Sequence, residues 1–286
     1  MNNYPRVSVI LPSYNHAEYV EQAILSVISQ SYPNVELIVI DDGSNDGSVE
    51  LILKLQQIHK FKFIAQENKG VYETISLALD MSTGKYISPF SSDDIYCKEK
   101  LHTLVAMLEQ CPEAAVAYGR IALINSLGEQ TKEIFESYQS GNIFQSLLRG
   151  DFFINGLAAL VRKDIYVSAR NNASYVDDLP IWLSIAENHQ FLYCNKVLAF
   201  YRRHENHLSG NLVKMLESEA AIIGHYRERS GYSSAIKRWN LKWFYSCAAS
   251  DKKRAIKYLF SSLNIETMCT IKFYWGLIRL AIFWKN

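Results

Sequence analysis

The chain has 286 residues, 49% of them hydrophobic and 21% charged, with a net charge of +1. That balance excludes a disordered chain and leaves room for one large domain, or one domain with an appendage. The overall charge gives no sign of a nucleic-acid partner, but it is unevenly placed: from Ser230 onward ten lysines and arginines face only Asp251 and Glu266, an asymmetry that points to an anionic partner.

In chain order, Arg6 to Leu11 is a β-branched, apolar run that ends at Pro12-Ser13-Tyr14-Asn15. Tyr19 to Ser29 places Val20, Ala23, Ile24, Val27 and Ile28 at a helical period. A second strand closes at Asp41, and Asn45-Asp46 offers an N-cap for a helix through Leu55. Phe61 to Ala65 reads as a short third strand, a helix follows Gly70, and Gly84 turns the chain into a fourth strand, Lys85 to Phe90. Glu99 to Glu109 is helical, and Ala114 to Ile124 reads as one or two strands. The alternation predicts a mostly parallel α/β sheet flanked by helices.

From Asn125 to Asn155 the pattern weakens around a short helix near Ile143 to Leu148, as in a binding or lid element. A helix over Asp177 to Asn188 and strands near Phe191 to Cys194 and Val197 to Arg202 follow. The expected division is a catalytic domain over 1–210, with a nucleotide half to about 120 and an acceptor half over 121–210, then a basic, aromatic helical extension over 211–286. The five cysteines are odd in number and form no C-x-x-C pair, which supports neither a zinc site nor a disulfide framework. With no signal-peptide pattern at Met1 to Arg6 and no apolar run of about 18 residues, the expectation is a cytoplasmic protein.

Two acidic doublets carry the chemistry. Asp41-Asp42 close the run Val35 to Ile40 and lead into Gly43-Ser44, while Asp93-Asp94 follow the fourth strand. Carboxylates beside a buried sheet are costly unless hydroxyls, N–H groups or a cation meet them. Strand ends are where open α/β sheets hold nucleotides. The alternatives are an acidic turn capping a helix and a surface turn before Glu99. A dinucleotide-binding fold would need Gly-x-Gly-x-x-Gly after the first strand, where this chain has Pro12-Ser13-Tyr14-Asn15-His16, and no Walker A sequence is present.

Val7 to Asn15, Ser26 to Pro33, Asp41-Asp42-Gly43-Ser44, Asn68-Lys69-Gly70, Gly84-Lys85-Tyr86-Ile87, Ser92-Asp93-Asp94, Asp177-Asp178 with Trp182, and Tyr201-Arg202-Arg203-His204 with Ser209 beyond occur in that order. Together they resemble the family 2 glycosyltransferases over about Arg6 to Ser209. The resemblance implies a GT-A fold and an enzyme moving a sugar from an NDP-sugar, UDP-sugar by expectation, to a glycan or lipid-linked oligosaccharide, with inversion, in cell-surface polysaccharide synthesis. It implies that Pro12, Tyr14, Asp42 and Asp93 hold the donor nucleoside, that Asp93 and Asp94 bind Mg2+ or Mn2+, and that Asp178 is the catalytic base. An acidic pair at a helix start also serves simply as a cap, and Pro180 suits a first turn. Arg202, Arg203 and His204 either meet the diphosphate or form a solvated loop. Many relatives have aspartate where this chain has Ser91, and Thr74-Ile75-Ser76 also departs from the family pattern. These departures keep a second reading open, a catalytically inactive sugar-nucleotide or glycan-binding module in a membrane assembly complex.

Lys272 to Lys285 has the aromatic and basic ends of an interfacial helix, and Trp239, Trp243, Phe244 and Tyr245 with Lys237, Arg238 and Lys242 repeat that combination. Docking on an anionic inner leaflet, near a lipid-diphosphate acceptor, is one expectation. Packing on the catalytic domain or on a second subunit of a homodimer is the other.

Overall fold

The computed structural model describes residues 4–136, 138–171, 178–203 and 212–282. The chain forms two units, Met1–Ile143 with Ile154–His207, and Phe144–Phe153 with Leu208–Asn286.

The first unit begins β1 (Val7–Ser13), α1 (Val20–Ile28), β2 (Val35–Asp41), α2 (Ser48–His59), β3 (Lys62–Ala65), α3 (Val71–Met81) and β4 (Tyr86–Pro89). It continues with β5 (Ile95–Tyr96), α4 (Lys100–Gln110), β6 (Ala114–Ile124) and β7 (Gln130–Glu133); α5 (Phe144–Leu148) belongs to the other unit. Then come β8 (Ala159–Arg162), α6 (Lys163–Asn171), α7 (Asp178–Ala186) and β9 (Gln190–Arg202). The sheet runs β3-β2-β1-β4-β8-β6-β9-β5, with β7 paired to β6. The first four strands in that order are parallel. Next to them β8 lies antiparallel to both β4 and β6, and β9 is parallel to β6.

The periodicities explain the layers. Val7, Val9 and Leu11 share one face of β1 because strand side chains alternate, and they pack in one cluster with Val20, Ala23, Ile24 and Val27 of α1. Each fully buried aliphatic side chain of this kind contributes roughly 1.5–3 kcal/mol. Because β1 lies between β2 and β4, the ends of β1, β2 and β4 lie together at the switch of strand order, where open α/β sheets bind their ligands.

Several elements differ from the sequence expectation. The two strands expected over Phe191 to Arg202 are one strand, β9. Its ladder with β6 passes from Gly119↔Cys194 to Arg120↔Val197, so Asn195 and Lys196 are a bulge rather than a break. β6 is likewise one strand, and the loop-rich stretch contains β7, which returns on β6 as a hairpin. β8 and α6 have no counterpart in the sequence reading.

The second unit adds α8 (Leu212–His225), α9 (Tyr232–Cys247), α10 (Lys252–Ser262), α11 (Ile265–Met268) and α12 (Ile271–Ile282). Its membership departs from a simple tail, because Phe144–Phe153 gathers with these helices. The expected membrane role of the upstream aromatic cluster is corrected here. Trp239, Trp243 and Phe244 are buried. Trp239 Nε1 donates to Leu148 O at 2.8 Å and Trp243 Nε1 to Glu219 Oε2 at 2.8 Å, so these rings are core with their indole N–H groups satisfied inside the unit.

Candidate active site

Three turns converge at the ends of β1, β2 and β4, and their backbones are tied to one another. After β1, Asn15 adopts a positive φ of 52°, a conformation that asparagine tolerates better than most residues. Its N–H donates to Ser44 Oγ at 2.8 Å and its Oδ1 accepts from Asn45 N at 3.0 Å. Ala17 N donates to Asp46 Oδ2 at 2.9 Å. The His16 ring shares a 2.7 Å hydrogen bond with Ser92 Oγ, joining the turn after β1 to the turn after β4.

The carboxylates at the end of β2 divide their work. Asp41 is fully buried and accepts from Ser13 Oγ, Ser44 N and Ser44 Oγ, which makes it the organiser of its own turn. Asp42 accepts from Lys69 N at 2.8 Å, Gly70 N at 2.9 Å and the Gln66 amide at 2.8 Å. Burial opposes its charge, but the N–H groups of Lys69 and Gly70 and the Gln66 and Thr74 side chains outweigh it and hold the carboxyl below its ordinary value. Gly43 is required between them: its φ is +81°, and a Cβ there would come within 2.8 Å of Asn68 N. Pro12 is partly buried and Tyr14 is 49% exposed at the end of β1.

Asp93 and Asp94 are both buried at the end of β4. Ser91 Oγ donates to Asp93 Oδ1 at 2.5 Å, so Ser91 is a partner of the pair. Arg202 N donates to Asp94 Oδ1 at 2.8 Å. Burial, and then the charge of Asp93, push the Asp94 carboxyl well above the usual carboxylate range despite that N–H. The charges of Arg202 and Arg203 favour the carboxylate but do not offset burial and Asp93. Two adjacent hard oxygen donors fit Mg2+ or Mn2+, although no group of three ligating side chains occurs among the described residues.

Arg202 is 1% exposed. Its Nε donates to Asp93 O at 2.7 Å, Nη1 to Asn125 O and Ser126 O, and Nη2 to Gln22 Oε1 at 2.7 Å, with Tyr19 stacked 4.7 Å away. A guanidinium so enclosed braces the acidic turn from within. Arg203 is exposed, stacked 5.0 Å from the Tyr201 ring. His204, Ser209 and Asp177 lie outside the described residues.

Asp178 opens α7 and is partly buried; Gly156 N donates to its Oδ2 at 2.7 Å. Gly156 stands just before β8, whose first residues lie beside the end of β4, so Asp178 is held at the same edge of the sheet as Asp93 and Asp94. Trp182 anchors this helix by burying its ring and donating Nε1 to Ile154 O at 2.8 Å.

Sequence reasoning passed over His16, Gln66, Gly156 and Lys100. The Asn155-Gly156 pair was a turn signal; nothing in the sequence marks Lys100. Its ammonium is fully buried, donating to Ser88 Oγ at 2.5 Å and Ala159 O at 3.2 Å over the Tyr96 ring, and burial pushes it well below the ordinary lysine value.

Comparison with known proteins places this geometry. The model of glycosyl transferase family 2 matches residues 8–168. The chain is 30% identical to TuaG of Bacillus subtilis, a glycosyltransferase assigned by name to teichuronic acid biosynthesis, over 90% of this chain and 99% of TuaG. It is 26% identical to WfgD of Escherichia coli, a UDP-Glc:alpha-D-GlcNAc-diphosphoundecaprenol beta-1,3-glucosyltransferase, over 78% of this chain and 87% of WfgD. Some other curated relatives are longer, and the chain spans only 33% of their length. S. aureus TarS 1-349, solved with UDP-GlcNAc, superposes with a TM-score of 0.66 at 14% identity, over 98% of this chain and 89% of TarS 1-349. The mannosyltransferase PcManGT of Pyrobaculum calidifontis, solved with GDP-Man and Mn2+, superposes with a TM-score of 0.54 at 16% identity, covering 98% and 87%. Those likenesses give the GT-A fold, and the matched family model together with the relative at 30% identity shows that this chain is a member of glycosyltransferase family 2.

Proposed function

We propose that this enzyme transfers a sugar from a UDP-sugar, with inversion, to a hydroxyl of a glycan carried on a lipid diphosphate, at the cytoplasmic face of the membrane, in the assembly of a cell-surface polysaccharide. The observation that carries the reading is the buried Asp93–Asp94 pair at the end of β4, the same end of the sheet at which Gly156 holds Asp178. The named activity of WfgD and the UDP-GlcNAc bound to TarS support the acceptor and donor classes.

In this assignment Pro12 and Tyr14 offer a surface to the base. Asp42, whose Oδ2 accepts a single N–H, from Gly70, meets a base N–H or a ribose hydroxyl through that oxygen. Asp93 and Asp94 would hold Mg2+ or Mn2+, whose charge, when bound, would offset that of the diphosphate leaving group. Arg203 is an exposed cation open to the same phosphates. Asp178 takes the proton of the acceptor hydroxyl as that oxygen bonds to the anomeric carbon and the bond from that carbon to the diphosphate oxygen breaks.

Calorimetry with UDP-, GDP- and dTDP-sugars, with and without Mn2+, tests the donor site. A UDP-sugar is expected to bind with Mn2+, and Asp94→Asn to weaken that binding at least tenfold. Asp178→Asn is expected to lower turnover by about 10²–10⁴-fold while donor affinity holds within twofold. Failure of every donor to bind, or full turnover in Asp178→Asn, would overturn the reading.

A further inference from the structure

The last helix of the second unit, α12, is apolar on two opposite faces. Phe273, Gly276 and Leu280 form its buried face. Gly276 lies so close to Phe244 of α9 that a Cβ would overlap the ring, so α12 is seated on α9 by this side. Ile271, Tyr274, Trp275, Ile278 and Ile282 are 76%, 57%, 55%, 45% and 67% exposed. Their spacing of three, one, three and four residues places them in a single stripe, about half a turn from the buried face at 3.6 residues per turn. Ile265, 85% exposed, and Met268, 44% exposed, lie on α11, which feeds α12. Soluble proteins scatter exposed apolar residues singly; a periodic stripe with two aromatics marks a contact surface.

Charge selects the occupant. Lys272 and Arg279 are seven residues apart, close to two helical turns, and so share one flank of the exposed stripe. They belong to the segment in which ten basic residues face two acidic ones. A second copy docked antiparallel through this stripe would oppose one basic flank to another, and a parallel one would leave both flanks without an acidic partner on α12, which has none. An anionic bilayer would meet it with the opposite sign, and tryptophan and tyrosine suit the level of the headgroups. At 12 residues α12 is too short to cross a bilayer, and no described helix is long and apolar enough to do so.

We infer that the Ile271–Ile282 stripe is a docking face for an anionic lipid surface, on which α12 lies in the plane of the interface. This deepens the lipid-linked acceptor reading and rests on it only for its purpose, because adhesion to lipid needs neither donor nor acceptor. The test is flotation of the full chain with vesicles of phosphatidylglycerol and phosphatidylcholine, against vesicles of phosphatidylcholine alone. The W275E/I278E double variant changes two exposed positions, and its melting curve reports that the fold is kept. Binding to the anionic vesicles only, lost at least tenfold in the double variant and weakened at high salt, is the expected result. Light scattering of the same samples detects the competing occupant: a dimer abolished by W275E/I278E would overturn the inference, as would vesicle binding that is absent or unchanged in the variant. Because these vesicles contain no glycan acceptor and no donor is added, failure here leaves the transfer chemistry standing, and failure of donor binding leaves this result standing.

Discussion

The smallest change with the largest expected consequence is one methyl group at Gly156. Its N–H donates to Asp178, and an added Cβ would sit 2.9 Å from Oδ1 and 3.1 Å from Oδ2 of that carboxylate. Nothing softer than the carboxylate itself takes up the overlap, so in Gly156→Ala Asp178 turns out of its place. Misplacing a reacting group by about 1 Å costs on the order of 10²-fold in rate. Gly156→Ala is therefore expected to lose roughly that factor in kcat, with donor affinity by calorimetry unchanged. Full turnover in the variant would show that Asp178 does not act as the base in this position. The doublets Asp41-Asp42 and Asp93-Asp94 stand out in the sequence because each follows an apolar run, where a carboxylate needs a partner, whereas Asp178 was read from the family resemblance. Gly156 was not legible, because its role depends on a contact 22 residues away that no local pattern encodes. Arg202 shows the same limit from the other side. Its residue type suggested a phosphate ligand, whereas burial and its acceptors make it a brace.

Strands are joined across the sheet by a side chain placed away from the site. Glu36, near the start of β2, accepts from Ser8 Oγ of β1 at 2.5 Å, from Lys62 Nζ of β3 at 2.8 Å, and from Thr83 N and Oγ1, just before β4, at 2.8 and 2.9 Å. Burial alone would raise its carboxyl, but Lys62, Ser8 and Thr83 outweigh burial and lower it from 4.5 to about 2. The folded chain thus binds the proton less readily than the unfolded chain. The stabilisation is complete above pH 4.5 and is lost as pH falls toward 2. Glu36→Gln is expected to be less stable by about 1–3 kcal/mol near neutrality, because a neutral amide cannot match a carboxylate as acceptor for all of these donors. Urea unfolding from pH 7 down to pH 3 should show that gap narrowing; a gap constant with pH would refute the assignment. At this scale the sequence was read well up to β6, because buried strands are short apolar runs and the helices repeat at 3.6 residues. It failed at β8, whose four residues make sense only between β4 and β6, and at β9, where a bulge looked like a break.

The whole molecule is not a catalytic domain with a detachable tail. Phe144–Phe153 clusters with Leu208–Asn286 although it precedes Asp178 in sequence, so the chain enters the helical unit, leaves it and returns. Within that unit Phe144, Leu147, Leu148 and Phe152 are buried. Phe144 meets Tyr226 edge-on at 5.5 Å, Phe153 meets Trp239 at 5.9 Å, and Leu148 O accepts the Trp239 indole N–H. The helical character of 212–282 was legible; the grouping of an earlier ten-residue segment with it was not, because Ile143 to Leu148 carries no sign of which unit completes its core. Removing 208–286 would leave those side chains in water without Tyr226 and Trp239. At roughly 1.5–3 kcal/mol for each large apolar side chain returned to solvent, the loss is comparable to the roughly 5–15 kcal/mol that a domain commands in total. The truncated chain is therefore expected to collect in the insoluble fraction, or to bind an apolar dye and melt without a cooperative transition. The full-length W275E/I278E variant should remain soluble with a sharp melt, because Trp275 and Ile278 are exposed rather than part of this core. A soluble, cooperatively melting 1–207 fragment would show that Phe144–Phe153 finds its core elsewhere.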